Sequence, residues 1–167
     1  MVIRAEEQRD RAAVYAVNTS AFETAAEARL VDALREQAHP VVSLVSETEG
    51  AIVGHIMFSP VSLHGHPELK IMGLAPMAVT PEHQRKGIGS SLVRAGLEQC
   101  RRLGCGAVVV LGHPEYYPRF GFLPSARFGI GCEYEVPEEV FMVVELQPGY
   151  LSGASGEIKY HPAFNNI

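Results

Sequence analysis

Long apolar runs are missing from this chain of 167 residues. None approaches the roughly 18 consecutive apolar residues that a membrane-spanning helix needs, so no membrane partner is expected. The opening Met1-Val2-Ile3-Arg4-Ala5-Glu6-Glu7 lacks the basic-then-apolar layout of a secretory leader. Basic tracts are scarce. Adjacent cations occur only at Arg85-Lys86 and Arg101-Arg102, and the net charge is −5. No nucleic-acid partner is therefore expected. Cysteine is sparse and odd in number: Cys100, Cys105 and Cys132 form no Cys-x-x-Cys pair. That argues against a disulfide framework and for a reducing, cytoplasmic setting in which the thiols act as small buried apolar groups.

Metal motifs are missing as well. His64 and His66 sit two apart in a turn with no Cys or Asp nearby, and a tetrahedral zinc site wants three or four convergent ligands. His113-Pro114-Glu115 begins the His-x-Glu of a zinc deaminase. Only Cys132 lies downstream of it, so the paired cysteines that motif needs are lacking. No metal is expected. There is also no internal repeat, low-complexity segment or linker. Residues 1–167 read as a single domain, long enough to bury a full core. Hydrophobic residues at 47% and charged residues at 20% are ordinary for a globular chain.

What is present is a regular alternation of patterns. Val2 to Arg4 reads as a short strand and Gln8 to Phe22 as a helix. Thr24 to Gln37 reads as a better helix, with Leu30, Val31 and Leu34 on one side. Thr24 is its expected N-cap and Glu27 the capping-box partner. His39-Pro40 ends it. Val41 to Ser46 and Ile52 to Leu63 form a hairpin about Glu49-Gly50. Leu69 to Val79 is a long strand, bulged where Pro76 removes a donor. Ile88 to Leu103 has the clearest helical spacing, with Gly104 to stop it. Ala107 to Leu111 is a buried strand, His113 to Phe122 holds one short helix, and Val140 to Leu146 is a last strand. The tail from Gly149 is ambiguous. The whole reads as mixed α/β, an antiparallel meander leading into one parallel crossover.

The most informative stretch is Gln84-Arg85-Lys86-Gly87-Ile88-Gly89, between a strand and a helix. Glycines two apart let the backbone turn and approach a ligand closely. The helix that follows begins with unpaired N–H groups and the positive end of its dipole, which suit an anion. Arg85 and Lys86 add charge, so a pyrophosphate fits. No Gly in the chain is followed by Lys, which excludes a P-loop. Leu92 stands where a dinucleotide fingerprint needs its third small residue. What remains resembles the Gln/Arg-x-x-Gly-x-Gly/Ala signature of the GNAT superfamily of acetyl-CoA-dependent N-acetyltransferases. A second motif agrees. Tyr117, Gly121 and Phe122 match that superfamily's Tyr-x-x-x-Gly-Phe, directly after the buried strand. The order of elements along the chain is similar too.

That resemblance implies an α/β (α+β) GNAT fold. It has a single mixed, mostly antiparallel central sheet with a parallel, splayed strand pair, flanked by about four helices. It implies acetyl-CoA as cosubstrate and no metal. The pantetheine arm would lie along Met77, Ala78 and Val79, with the acetyl carbonyl near an N–H of the Met77 region. The pyrophosphate would sit on Gln84, Arg85, Lys86, Gly87, Ile88, Gly89 and Ser90. Tyr117 would be the acid toward the leaving thiolate, against the bland alternative of a core tyrosine. Gly112-His113-Pro114 departs from the family by lacking an Asn that touches pantetheine. None of the cysteines sits in either motif, which argues for direct transfer without an acyl-enzyme. The implied partner is a small-molecule or peptide amine. A homodimer stays open. Glu23, Glu27, Glu115 and His113 are candidate bases, with no basis for a choice among them. The acidic run Glu133, Glu135, Glu138 and Glu139 reads first as a solvated loop, and second as a lure for a cationic amine. A non-catalytic acyl-CoA sensor on the same fold is the alternative function. Transfer of a longer acyl chain, or transfer to oxygen, stays open.

Overall fold

A computed structural model describes residues 1–166. Nine strands and three α-helices follow in the order β1 (Val2–Ala5), α1 (Arg11–Ala21), α2 (Ala26–Gln37), β2 (Val42–Thr48), β3 (Ala51–Leu63), β4 (Ile71–Val79), α3 (Ile88–Arg102), β5 (Ala107–Leu111), β6 (Leu123–Pro124), β7 (Ile130–Cys132), β8 (Phe141–Glu145) and β9 (Gly156–Lys159). The central strand order is β1-β2-β3-β4-β5-β8-β6. All its pairings are antiparallel except β4 with β5, the crossover that carries α3. The helix count falls one short of expectation. The residues after β5 wind into a 3-10 turn, Tyr117–Phe120, with Pro118 in its first positions. The ambiguous tail forms β9, which pairs with the end of β3 and carries β7 alongside it in a second parallel pair. Among the described residues no helix is long and apolar enough to cross a membrane.

Two apolar layers sandwich the sheet. On one face α1 and α2 bury Val14, Leu30, Val31 and Leu34 against Val45, Met57 and Val109. On the other, α3 buries Leu92, Val93 and Cys100 against Ile56, Phe58, Met72 and Val108. Close approach of α3 depends on Gly96, because a Cβ there would enter the Phe58 ring. The hairpin turns as its sequence demands: Glu49 and Gly50 are both left-handed, at φ 52° and 81°. Two positive φ values match the primed turn that suits strand twist. The helix α2 starts later than expected. Thr24 Oγ1 accepts from the Ala26 N–H at 3.2 Å, and Ala25 is the cap. The capping box with Glu27 does not form, and Glu27 Oε1 is buried without a partner.

A directional hydrogen-bond chain ties the helices on the first face to the sheet. Arg35 Nη2 meets Glu6 at 2.6 Å, and the Ser43 hydroxyl donates to Glu6 at 2.7 Å. Since that hydroxyl proton is committed, His55 Nε2, 2.9 Å from Ser43 Oγ, must be the donor there. His55 Nδ1 then accepts from Asn18 Nδ2 at 3.2 Å. The imidazole is neutral: complete burial pushes its pKa down to about 3, with a smaller push from the Arg35 charge.

Candidate active site

The site begins where β4 and β5 part. They pair in register from Ile71 with Ala107 to Leu74 with Val110, and no further. Pro76 offers no N–H, and β4 slips there against β3, so that Ala75 and Pro76 together oppose Met57. Beyond the slip, β4 continues to Val79 beside β3 alone, and a gap opens on its other side. The Thr80 N–H donates to the Val53 carbonyl at 2.9 Å. Opposed residues of an antiparallel pair alternate between bonded and non-bonded. Ala78 therefore turns its pairing groups to β3, while Met77 and Val79 turn theirs to the gap. The Val79 carbonyl is taken by Gln84, whose Nε2 donates to it at 2.9 Å. That bond fastens the glycine loop to the strand end.

The loop then makes two left-handed turns, at Arg85 (φ 64°) and Gly87 (φ 85°), and enters α3. Gly87 is the N-cap and supplies no side-chain acceptor. The first helical bond runs from the Ser91 N–H to the Gly87 carbonyl, at 3.1 Å. The N–H groups of Ile88, Gly89 and Ser90 are the orphan donors of the helix end. A Cβ on Gly89 would stand 3.4 Å from the Tyr116 hydroxyl and 3.5 Å from Met77 Cε. The loop, Val79 and Tyr116 together line a cleft of about 410 Å³.

The two tyrosines serve different ends of this region. Tyr117 is buried, with 8% of its surface exposed. Its ring packs edge-on against Tyr116 (5.0 Å) and Phe122 (5.6 Å) and presses on Gly112, where a Cβ would collide with it. Gly112 thus makes room for the Tyr117 ring at the end of β5, beside the strand gap. Desolvation, then the neighbouring Tyr116, pushes the Tyr117 phenol up to about 12, so it stays protonated across the working range. Tyr117 is not among the residues that line the cleft at the loop. Tyr116 is, and its hydroxyl lies 3.0 Å from Ser90 Oγ. The motif reading of the sequence left Tyr116 out. It missed Arg119 as well, which stacks on Tyr116 and lines the same cleft. The signal available was position: Tyr116 directly precedes the Tyr117-to-Phe122 motif, and Arg119 lies inside it.

The other candidates scatter. Glu23 is exposed between α1 and α2, and Glu27 is half-buried. His113 and Glu115 are exposed at the lip after β5, in a groove shared with Tyr116 and Arg119. Glu133 is no solvated charge: its Oε2 accepts from the Tyr160 N–H at 2.6 Å and pins the tail. Glu138 and Glu139 are exposed. Among the described residues no three His, Cys, Asp or Glu side chains converge as a metal set.

A splayed parallel pair, with an uncapped helix N-terminus one short loop beyond it, offers backbone groups of the kind that suit an extended, phosphate-bearing ligand. Comparison with known proteins identifies the class. Residues 10–122 match the model of the acetyltransferase (GNAT) family. The chain belongs to that family. It is 37% identical over its full length, and the relative's, to the uncharacterized N-acetyltransferase YhbS of Escherichia coli. It is 43% identical over 153 residues, 86% of this chain and 84% of the relative, to the uncharacterized N-acetyltransferase YjhQ of the same organism. The crystal structure of Escherichia coli YhbS in complex with CoA superposes with a TM-score of 0.92 at 36% identity, covering 99% of this chain and 92% of that one. A GNAT family acetyltransferase from Brucella melitensis, in complex with acetyl-CoA, gives 0.81 at 36% identity over 98% and 97%. The α/β fold and the enzyme class expected from the two motifs are thus those of the family.

Proposed function

We propose that this acetyltransferase passes the acetyl group of acetyl-CoA directly to a primary amine of a small-molecule or peptide acceptor. The observation that carries the reading is the continuity of gap and cradle. The free edge of β4 at Met77 and Val79 leads without interruption to the N–H groups of Ile88, Gly89 and Ser90. In this reading the pyrophosphate sits on those donors, with Arg85 and Lys86 beside it and Gln84 bracing the loop. The pantetheine amides pair with the Met77 carbonyl and the Val79 N–H, the Val79 carbonyl being held by Gln84. Ala78 serves by holding β4 to β3. The thioester then lies in the gap between β4 and Gly112, next to Tyr117.

The chemistry follows from that placement. The amine lone pair attacks the acetyl carbonyl, and a backbone N–H at Met77 meets the oxygen as it becomes anionic. When the C–S bond breaks, sulfur takes the electron pair. A thiol pKa is roughly 8.5, well below the 12 or so of the buried Tyr117 phenol. Complete transfer of the phenol proton is therefore uphill. Tyr117 acts by hydrogen-bonding the developing thiolate, and the ammonium formed on the amine supplies the proton that leaves. No cysteine lies in the motifs, and Cys100, on the inner face of α3, and Cys105, just beyond it, are buried, which supports direct transfer. Supplying acetyl-CoA with amine pools and following free thiol tests the reading. Turnover with any amine supports it, and tight CoA binding without turnover across broad pools would favour the sensor.

A further inference from the structure

Beside the cleft at the loop, two guanidinium groups are held in place by rings rather than by carboxylates. Arg119 lies over the Tyr116 ring, 4.4 Å from its centroid, and its Nε donates to the Tyr116 carbonyl at 2.8 Å. Ring and carbonyl fix the plane of the guanidinium, and both terminal nitrogens remain unused among the described residues. Arg94, on α3 one turn past Ser90, lies 5.1 Å over the Phe120 ring. Phe120 and Tyr116 meet edge-on at 5.3 Å, so the two cations share one aromatic platform. They also line a common groove of about 390 Å³, while Arg119 alone of the pair lines the cleft at the loop.

Neither cation has a carboxylate partner among the described residues, although the chain carries net charge −5. The groove's two carboxylates are already engaged. Glu98 pairs with Arg101 and Arg102, and Glu145 accepts from the Leu151 N–H at 2.8 Å. Two anchored, unpaired guanidinium forks at the rim of a pyrophosphate cradle suit a second phosphate group. In coenzyme A such a group hangs from the ribose next to the pyrophosphate. We infer that Arg119, assisted by Arg94, takes the ribose 3′-phosphate of the coenzyme, so that the protein distinguishes coenzyme A from its 3′-dephospho form. This rests on the acetyl-CoA reading above, in which the loop itself takes the pyrophosphate.

Calorimetric titration with coenzyme A and with 3′-dephospho-coenzyme A separates the possibilities. Wild type should bind coenzyme A about 10-fold more tightly or better, within the strength of charge-assisted bonds to phosphate. Arg119→Gln should bring the two ligands within about twofold of each other, by weakening coenzyme A alone. Arg94→Gln should lose part of the preference, and Arg119→Lys should keep part of it. Both positions are exposed, and thermal melts confirm that the variants fold. Equal weakening of both ligands by Arg119→Gln would place Arg119 on the pyrophosphate and overturn the inference. So would a wild type without preference, or a preference that survives the substitution. A wild type that binds neither ligand overturns the acetyl-CoA reading itself, and this inference with it.

Discussion

Tyr117→Phe removes one oxygen atom from the ring that abuts Gly112 and leaves the ring packing in place. The hydroxyl has no hydrogen-bond partner among the described residues, so its loss should cost little stability, within about 0.5 kcal/mol. Its effect on catalysis should be much larger. A hydrogen bond to a charged group contributes about 1.5–3 kcal/mol, and removal of a group acting on a leaving atom costs 10²-fold or more. Because burial holds the phenol near 12, it acts as a donor more than as an acid, which points to the lower end, about 10²-fold in kcat. The assay is CoA thiol release under saturating acetyl-CoA and acceptor, with chemistry shown to be rate-limiting by single turnover. Acetyl-CoA affinity and thermal midpoint should match wild type. The same pKa predicts that the pH profile rises as the acceptor amine loses its proton and shows no falling limb from Tyr117 below about pH 11. Full turnover in the Phe variant would make Tyr117 a core residue, and the role would pass to water.

Gly89→Glu sets a carboxylate and a Cβ among the donors at the start of α3; CoA affinity measured calorimetrically should fall at least about 10²-fold while circular dichroism stays unchanged. Unchanged affinity in the folded variant removes the loop from the site. If a water relay serves as base, single substitutions at Glu23, Glu27, Glu115 and His113 should each leave substantial turnover at pH 7; one that abolishes turnover and is rescued at high pH would identify a dedicated base. His55 gives a stability prediction. Its folded pKa near 3 lies below the unfolded value of 6.5, so the unfolded chain binds the extra proton and stability falls as pH drops from about 6.5 toward 3. At pH 5 the loss should be about 2 kcal/mol by denaturant melts, and His55→Asn, whatever its own stability, should lack it.

The elements around the proposed site were the most legible in the sequence. Gly87, set between a strand and a helix, stood out because few other residues serve a left-handed N-cap. The spacing from Ile88 to Leu103 marked a helix with one buried face, and it is α3. Pro76 marked the slip that opens the strand gap. Elsewhere the local signals were weak or misleading. Thr24 and Glu27 carry the letters of a capping box, yet the helix starts two residues beyond Thr24, because Ala25 turns the chain first. The tail lacks periodicity, and β9 exists because the end of β3 offers it an edge to pair with. Glu133 reads as surface charge, but a backbone N–H 27 residues away makes it structural. Tyr116 and Arg119 were passed over for a similar reason. Their roles depend on where a 3-10 turn aims adjacent side chains, and helical spacing does not describe that turn.

The proposed reaction is direct, amine-dependent transfer from acetyl-CoA at the gap between β4 and β5. The most direct measurement supplies the purified protein with acetyl-CoA and pooled primary amines, and follows free CoA thiol, acetylated amine and the intact mass of the protein together. Thiol and acetylated amine should appear in equal amounts, with the protein itself unmodified. Release of thiol with acetyl left on a cysteine would contradict direct transfer, and tight CoA binding with no turnover in any pool would contradict the enzyme.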